Sequence, residues 1–364
     1  MVINKFESKL HSKSKIAKKA ANQGSFFTPS RIIFYVFCII IFAFAIHYVG
    51  KLKDIEQLLL QMSPAWLLLA VTAQIMTYLI YATILKLLLQ KQSGTANFLL
   101  LFKLSIVIMF VNEVIPTGGI SGDGYIFKQL VKKGVSRYNA FTAMVLESIS
   151  YYAAILILLL FFYTWYLNED MRDTILITYT VIIGFVFYIL LFFIVLISTN
   201  GHNISFVMRK LGKIKFIKRF IKKASLLSLQ NENEGTVEML GRKKKAIAQA
   251  ISLQLVIILS DIITVFALVK GFHVELSFPL IAFGLLLSLI IGALPLSPGS
   301  LIIYESAMTY FFTRLGAPVH AALIITLLYR FLTFWLPIPI GLIAYRNLQK
   351  RVREHGLNDN TALK

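Results

Sequence analysis

A single cysteine, nine prolines and seventeen acidic residues are all that this 364-residue chain carries of those types. Cys38 has no partner for an internal disulfide and cannot begin a cysteine metal site. The acidic shortage stands against 37 Lys and Arg residues and leaves a formal net charge of +20. No Gly-rich Walker loop, HExxH or CxxC occurs, so the motif-borne forms of nucleotide, zinc-hydrolase and dithiol chemistry find no support. Long polar stretches are missing as well. No segment is large enough for a soluble, nucleotide-using transferase domain, and no catalytic residue, metal or cofactor is assigned.

What is present is apolar length. The chain is 57% hydrophobic with a mean hydropathy of +0.74, whereas a soluble domain is about half apolar. Apolar runs fall near 31–49, 65–88, 98–114, 138–163, 174–198, 246–269, 279–294 and 319–345. A bilayer span needs about 20 such residues. The runs lack the dyad alternation of an outer-membrane barrel. An all-α polytopic membrane protein follows, with about eight transmembrane helices. The positive charge then reads as topology rather than nucleic-acid binding, because the Lys and Arg residues flank the spans, as the positive-inside rule requires.

That rule organises the chain. Residues 1–30 form a basic tail, expected inside. The run at 31–49 is too long for a signal-peptide core and is expected to stay as the first span. The first membrane half covers 31–198 and the second 246–346, with a basic tail at 347–364. Between the halves, 199–245 holds twelve Lys and Arg against three acidic residues. Within it Val207, Leu211, Ile214, Ile217 and Ile221 recur at helical spacing among basic residues. That pattern suits either an interfacial helix on an anionic leaflet or a plain solvated loop. Both termini are expected on the cytoplasmic side of the cytoplasmic membrane.

Parity then exposes two anomalies. Lys86 and Lys91 place the start of the third run inside. Lys128, Lys132, Lys133 and Arg137 place the start of the fourth inside as well. The chain must therefore return within "VNEVIPTGGISGDGYIFKQLVKKG", residues 111–134. A re-entrant hairpin is the economical solution. In the second half, 294–315 enters from outside, turns at "LPLSPGS" and returns outside. With this topology thirty of the 37 basic residues lie inside and five outside. Gly134, Ala140 and Glu147 follow the first break much as Gly316, Ala322 and Arg330 follow the second, at offsets near 180 residues. Two related units entering from opposite faces would be an inverted-topology repeat, an architecture found in transporters.

Irregular backbone at membrane depth survives only where protein or a water-filled cavity surrounds it. Pro116, Gly118, Gly119, Gly122 and Asp123 of the first break are therefore candidate substrate-binding residues. Ser297, Pro298, Gly299, Ser300 and Glu305 of the second join them. Helix N-termini there suit an anion such as a lipid phosphate; the glycines also suit mere close helix packing. Ionisable residues inside a membrane are functional candidates by default. Glu147 and Arg330 occupy matching positions and are expected to pair, either structurally or as a gate that substrate phosphate opens. Asp261 stands alone in the sixth run, where a neighbouring hydroxyl would serve it. Asp123 and Glu305 could act as acid and base, which leaves a membrane-embedded lipid transferase, or an accessory subunit of one, as the alternative to transport.

The paired motifs carry a resemblance. "VNEVIPTGG…LVKKGVSRYNAFTAMVLES" resembles the first block of the membrane region of lysylphosphatidylglycerol synthetase/flippase proteins. "LPLSPGSLIIYESAMTYFFTRLGAPVHAALIITLLYRFLTFWLPIPIG" resembles the second, a P-G-G-x-G-x-x-E pattern followed by an Arg in the last span. The likeness covers most of 31–346. It implies a stand-alone flippase-like protein without the soluble aminoacyl-transferase domain, moving membrane lipids, anionic or polyprenyl-phosphate in type, between leaflets. Here Ser300 follows Gly299, Ile302 stands at the second family glycine, and Ser148 follows Glu147 where the family commonly has arginine. The headgroup, and assembly as a homo-oligomer, stay open.

Overall fold

In the computed structural model the described residues are 62–89, 97–114, 120–168, 174–198, 243–294, 300, 302–344 and 346, all within one compact unit, Gln61–Lys364. Every regular element among them is helical. They are α1 (Pro64–Leu88), α2 (Phe98–Val114), α3 (Ile120–Lys132), α4 (Arg137–Asn168), α5 (Thr174–Ser198), α6 (Lys244–Gly271), α7 (Phe278–Gly292), α8 (Ile303–Arg314) and α9 (Val319–Arg330). A π-turn, Phe331–Trp335, continues α9, and helix resumes over 337–344. The run at 31–49, both tails, the segment 207–221 and the hairpin tips lie outside the described residues.

Among the described residues, five helices are long and apolar enough to cross a membrane: α1, α4, α5 over Ile175–Val195, α6, and the composite Val319–Ala344. The chain is a multi-pass membrane protein. Its apolar surface agrees. Ile175, Leu176, Tyr179, Ile182, Ile183 and Val186 of α5 are all exposed at helical spacing. Such a continuous apolar face would be a liability in water and is ordinary against lipid. By contrast α7 is 15 residues long. At about 1.5 Å per residue it reaches roughly 22 Å, short of the ~30 Å hydrocarbon core.

The core is seamed by α1 and α6. Ala70, Ala73, Thr77 and Ile80 form the buried stripe of α1; Ala250, Gln254, Ile257 and Thr264 belong to that of α6. Lipid tails are as apolar as leucine, so small residues that let backbones approach drive such packing. The Thr264 hydroxyl lies 3.5 Å from the Ala70 carbonyl across the seam and 2.9 Å from the Ser260 carbonyl of its own helix. Proline sets the starts: Pro64 and Pro279 stand in the first turns of α1 and α7.

Beyond each break the chain doubles back. α3 packs on α2 and reaches α4; α8 packs on α7 and α9. Both return arms end in the same turn. The Gly134 N–H donates to the Val131 carbonyl (3.1 Å) and the Val135 N–H to Leu130 (3.1 Å). The Gly316 N–H donates to Thr313 (3.2 Å) and the Ala317 N–H to Phe312 (3.0 Å). These are Schellman caps, which need a left-handed residue at the C′ position. Gly134 and Gly316 supply it, at φ 89° and 111°.

Candidate functional site

Glu305 stands in the first turn of α8 and Arg330 is the last residue of α9. The Arg330 Nε–H donates to Glu305 Oε1 at 2.7 Å, with both side chains largely buried. The guanidinium also lies over two aromatic rings, 4.9 Å from the centroid of Tyr304 and 4.5 Å from that of Phe334. Each such contact is worth about 2 kcal/mol or more once desolvated. Phe334 reaches this place from the π-turn, whose extra residue re-aims the side chains that follow Arg330; such turns are frequent at functional sites. Tyr304 in turn stacks on Tyr329, with centroids 6.3 Å apart and planes at 21°. The second carboxylate oxygen, Glu305 Oε2, is buried with no hydrogen-bond partner.

The approach to this cluster is tight and strained. Tyr304 lies where a Cβ on Gly292 would stand, so only glycine fits at the end of α7. The Ser300 hydroxyl donates to the Gly292 carbonyl. Ser300 and Ile302 have φ of 52° and 73°. For a β-branched residue such a value is a genuine outlier. These are the two positions at which the chain departs from glycine in the P-G-G-x-G-x-x-E pattern. The backbone requirement that makes glycine natural there persists in this fold, and serine and isoleucine bear it.

A second polar pair lies across α4 and α6. Gln254 Nε2 donates to Glu147 Oε1 at 3.0 Å, both residues buried. Where the sequence pairs Glu147 with Arg330, the structure gives Arg330 Nε to Glu305 and Glu147 Oε1 to Gln254. The physical reason lies in the register of α8. It brings Glu305 to the end of α9, while Gln254 faces α4 from mid-helix. Asp261 lies two turns beyond Gln254 on α6, and the Thr77 hydroxyl of α1 donates to the Ala73 carbonyl of its own helix at 3.5 Å.

Of the other candidates, Gly122 and Asp123 lie in the first turn of α3. Pro116, Gly118, Gly119, Ser297, Pro298 and Gly299 fall outside the described residues. Sequence reasoning missed Gln254, Tyr304 and Phe334. Gln254 was detectable as an uncharged polar residue in mid-span. An aromatic such as Phe334 carries no sequence sign that distinguishes a cation's partner from a lipid-facing ring.

Residues 31–341 match the family described as the lysylphosphatidylglycerol synthase TM region. A UPF0104 membrane protein of Methanocaldococcus jannaschii is 24% identical over 340 residues, covering 88% of this chain and 94% of that protein. A UPF0104 membrane protein of Methanothermobacter thermautotrophicus is 26% identical over 134 residues, 35% of this chain and 40% of its own.

Proposed function

The chain belongs to the lysylphosphatidylglycerol synthase TM-region family, and from that premise we propose that it is a lipid transporter of the cytoplasmic membrane. It moves an anionic phospholipid, or a polyprenyl-phosphate-type lipid, between leaflets. The observation that carries this reading is the pair of broken helical hairpins, α2–α3 and α7–α8, closed by matching caps 182 residues apart. In this reading they are re-entrant, enter from opposite faces and complete an eight-span inverted repeat. Their breaks meet at a central cavity near the midplane.

Arg330 is the headgroup's cationic partner. The N-terminal end of α8 already has its own carboxylate, Glu305, in the first turn, which satisfies the positive end of the helix dipole. A lipid phosphate therefore competes with Glu305 for the guanidinium rather than with water for the helix end. Arg suits this exchange because its planar fork receives carboxylate and phosphate alike. The Tyr304 and Phe334 rings hold the charge in place while its partner changes.

Headgroup exchange in proteoliposomes tests the reading. Purified protein is expected to accelerate leaflet exchange of at least one fluorescent anionic lipid, with Arg330→Met losing most of the rate. No acceleration with any phospholipid or polyprenyl phosphate sinks it. Glu305 Oε2, a buried acceptor without a donor, favours the lipid-modifying transferase as the second reading. Turnover of a donor lipid that disappears in Glu305→Gln would establish that one instead.

A further inference from the structure

We propose that the Arg330 site selects a phosphodiester headgroup that carries hydroxyls, of glycerol or inositol type, over a phosphate monoester or a choline ester. The inference rests on the transport reading for the movement of that headgroup, but not for its binding. It narrows the choice left open between a phospholipid and a polyprenyl phosphate.

Two polar atoms beside the guanidinium carry it. Glu305 Oε1 accepts from Arg330 Nε at 2.7 Å, while Glu305 Oε2 is buried without a hydrogen-bond partner. Tyr304, the preceding residue, has its ring centroid 4.9 Å from the same guanidinium, and its hydroxyl is also buried without a partner. The whole Tyr304 residue is 5% exposed. Native proteins seldom bury such atoms unmet, because each has left water and gained no bond in return. The two lack opposite things. A carboxylate oxygen only accepts, whereas a phenol hydroxyl still has a proton to give.

A phosphate monoester carries about 1.5 to 2 negative charges at neutral pH and three acceptor oxygens. It answers Arg330 and Tyr304 but faces Glu305 with like charge. A choline head has no N–H or O–H, so Oε2 stays unmet. An ethanolamine ammonium donates to Oε2 and accepts nothing, so the Tyr304 proton is left to the phosphate that Arg330 already holds. A glycerol or inositol ester brings one negative charge for Arg330 and hydroxyls that both donate and accept.

The seam beyond the ion pair has the same chemistry. One turn on from Glu305 and Arg330, the hydroxyl oxygens of Thr309 and Thr326 lie 3.4 Å apart, and Thr326 is fully buried. Thr313 follows on α8, its hydroxyl donating to the Thr309 carbonyl at 2.8 Å. Apart from Arg330, the lysines and arginines of α8 and α9 amount to Arg314, at the far end of α8. A headgroup moving along this seam meets hydroxyls rather than cations, which suits a polyol and leaves a second phosphate charge unanswered. The way in is short. Ile302, three residues before Glu305, and Phe331, next to Arg330, are both exposed. Acyl chains can stay against such apolar residues while the headgroup turns inward.

Calorimetric titration of the full chain in detergent micelles with dihexanoyl phospholipids reads binding apart from transport. Phosphatidylglycerol and phosphatidylinositol are expected to bind about tenfold more tightly than phosphatidic acid, phosphatidylethanolamine or phosphatidylcholine, the order of one buried hydrogen bond kept or lost. Two variants keep the shape of the site. Tyr304→Phe leaves the ring under Arg330 and is expected to shrink the preference to about threefold. Glu305→Gln turns its carbonyl to Arg330 and sets an amide N–H where the bare acceptor stood, so the preference is expected to pass to phosphatidic acid. The proposal is overturned if no lipid binds, if all bind equally, or if the choline, ethanolamine or monoester lipid binds most tightly to the wild type. An order of affinities unchanged in both variants overturns it too. Selective binding of the hydroxylated lipids without leaflet exchange of any lipid in proteoliposomes leaves the site standing and sinks the transport reading. Leaflet exchange with unselective binding does the reverse.

Discussion

At the scale of single residues, the Arg330–Glu305 pair and the backbone at Ile302 make opposite demands on stability. A buried ion pair is weak evidence of net stabilisation, yet removing one partner leaves the other charge uncompensated and costs about 3–5 kcal/mol. Arg330→Met is therefore expected to lower stability by that amount, while the double variant Arg330→Met with Glu305→Gln recovers most of it. Denaturant unfolding in detergent micelles measures both; a double variant no better than the single would show that the ring contacts, not the ion pair, hold this end of α9. Ile302 works the other way. It is 53% exposed, so little packing is lost on its removal, and its φ of 73° is one that an L residue adopts at a cost of about 1–2 kcal/mol. Glycine returns part of this gain as chain entropy. Ile302→Gly should thus raise stability by up to about 1 kcal/mol in the same assay, and a loss would mean that the isoleucine side chain contributes contacts its exposure does not suggest.

At the scale of helices, the two caps are the most regular feature of the fold and the easiest to test. A Cβ at Gly134 would meet open space, and one at Gly316 only Leu276 Cδ2 at 3.8 Å. The cost of Gly134→Ala or Gly316→Ala is therefore backbone cost alone, about 1 kcal/mol each, read as a lower unfolding midpoint. Gly292→Ala is a different case, since its Cβ would run into the Tyr304 ring. It should displace the aromatic platform under Arg330 and slow transport more than it lowers stability. Much at this scale was legible in the sequence. The runs read at 98–114 and 174–198 are the bounds of α2 and α5, and those read at 65–88 and 246–269 sit within two residues of α1 and α6. Hydropathy suffices there because a lipid-facing helix is specified by composition alone. The π-turn after Arg330 was not legible, since 319–345 reads as one uninterrupted apolar run. Nor was the partner of Arg330: both Glu147 and Glu305 are acidic residues of the right depth, and only the packing of α8 against α9 chooses between them.

At the scale of the whole molecule, the question is whether the two halves point in opposite directions, because only then do the two breaks face one another. The caps cannot decide it, being the same turn in both halves. Charge can. The segment from α3 into α4 carries Lys128, Lys132, Lys133 and Arg137, whereas the corresponding segment from α8 into α9 carries Arg314 and His320. Four basic residues favour the cytoplasmic face and a single arginine does not, so equivalent turns are expected on opposite sides. Lys132 and Arg314 are the last residues of α3 and α8, and both are exposed. The single native cysteine, Cys38, can be replaced by serine to give a clean background. In that background Lys132→Cys is expected to react with a membrane-impermeant maleimide only in inside-out vesicles, and Arg314→Cys only in intact cells. Labelling of both from one side would make the repeat parallel. The α7–α8 break would then open toward the same face as the α2–α3 break, and a lipid headgroup leaving Arg330 would have no second half-site from which to reach the other leaflet.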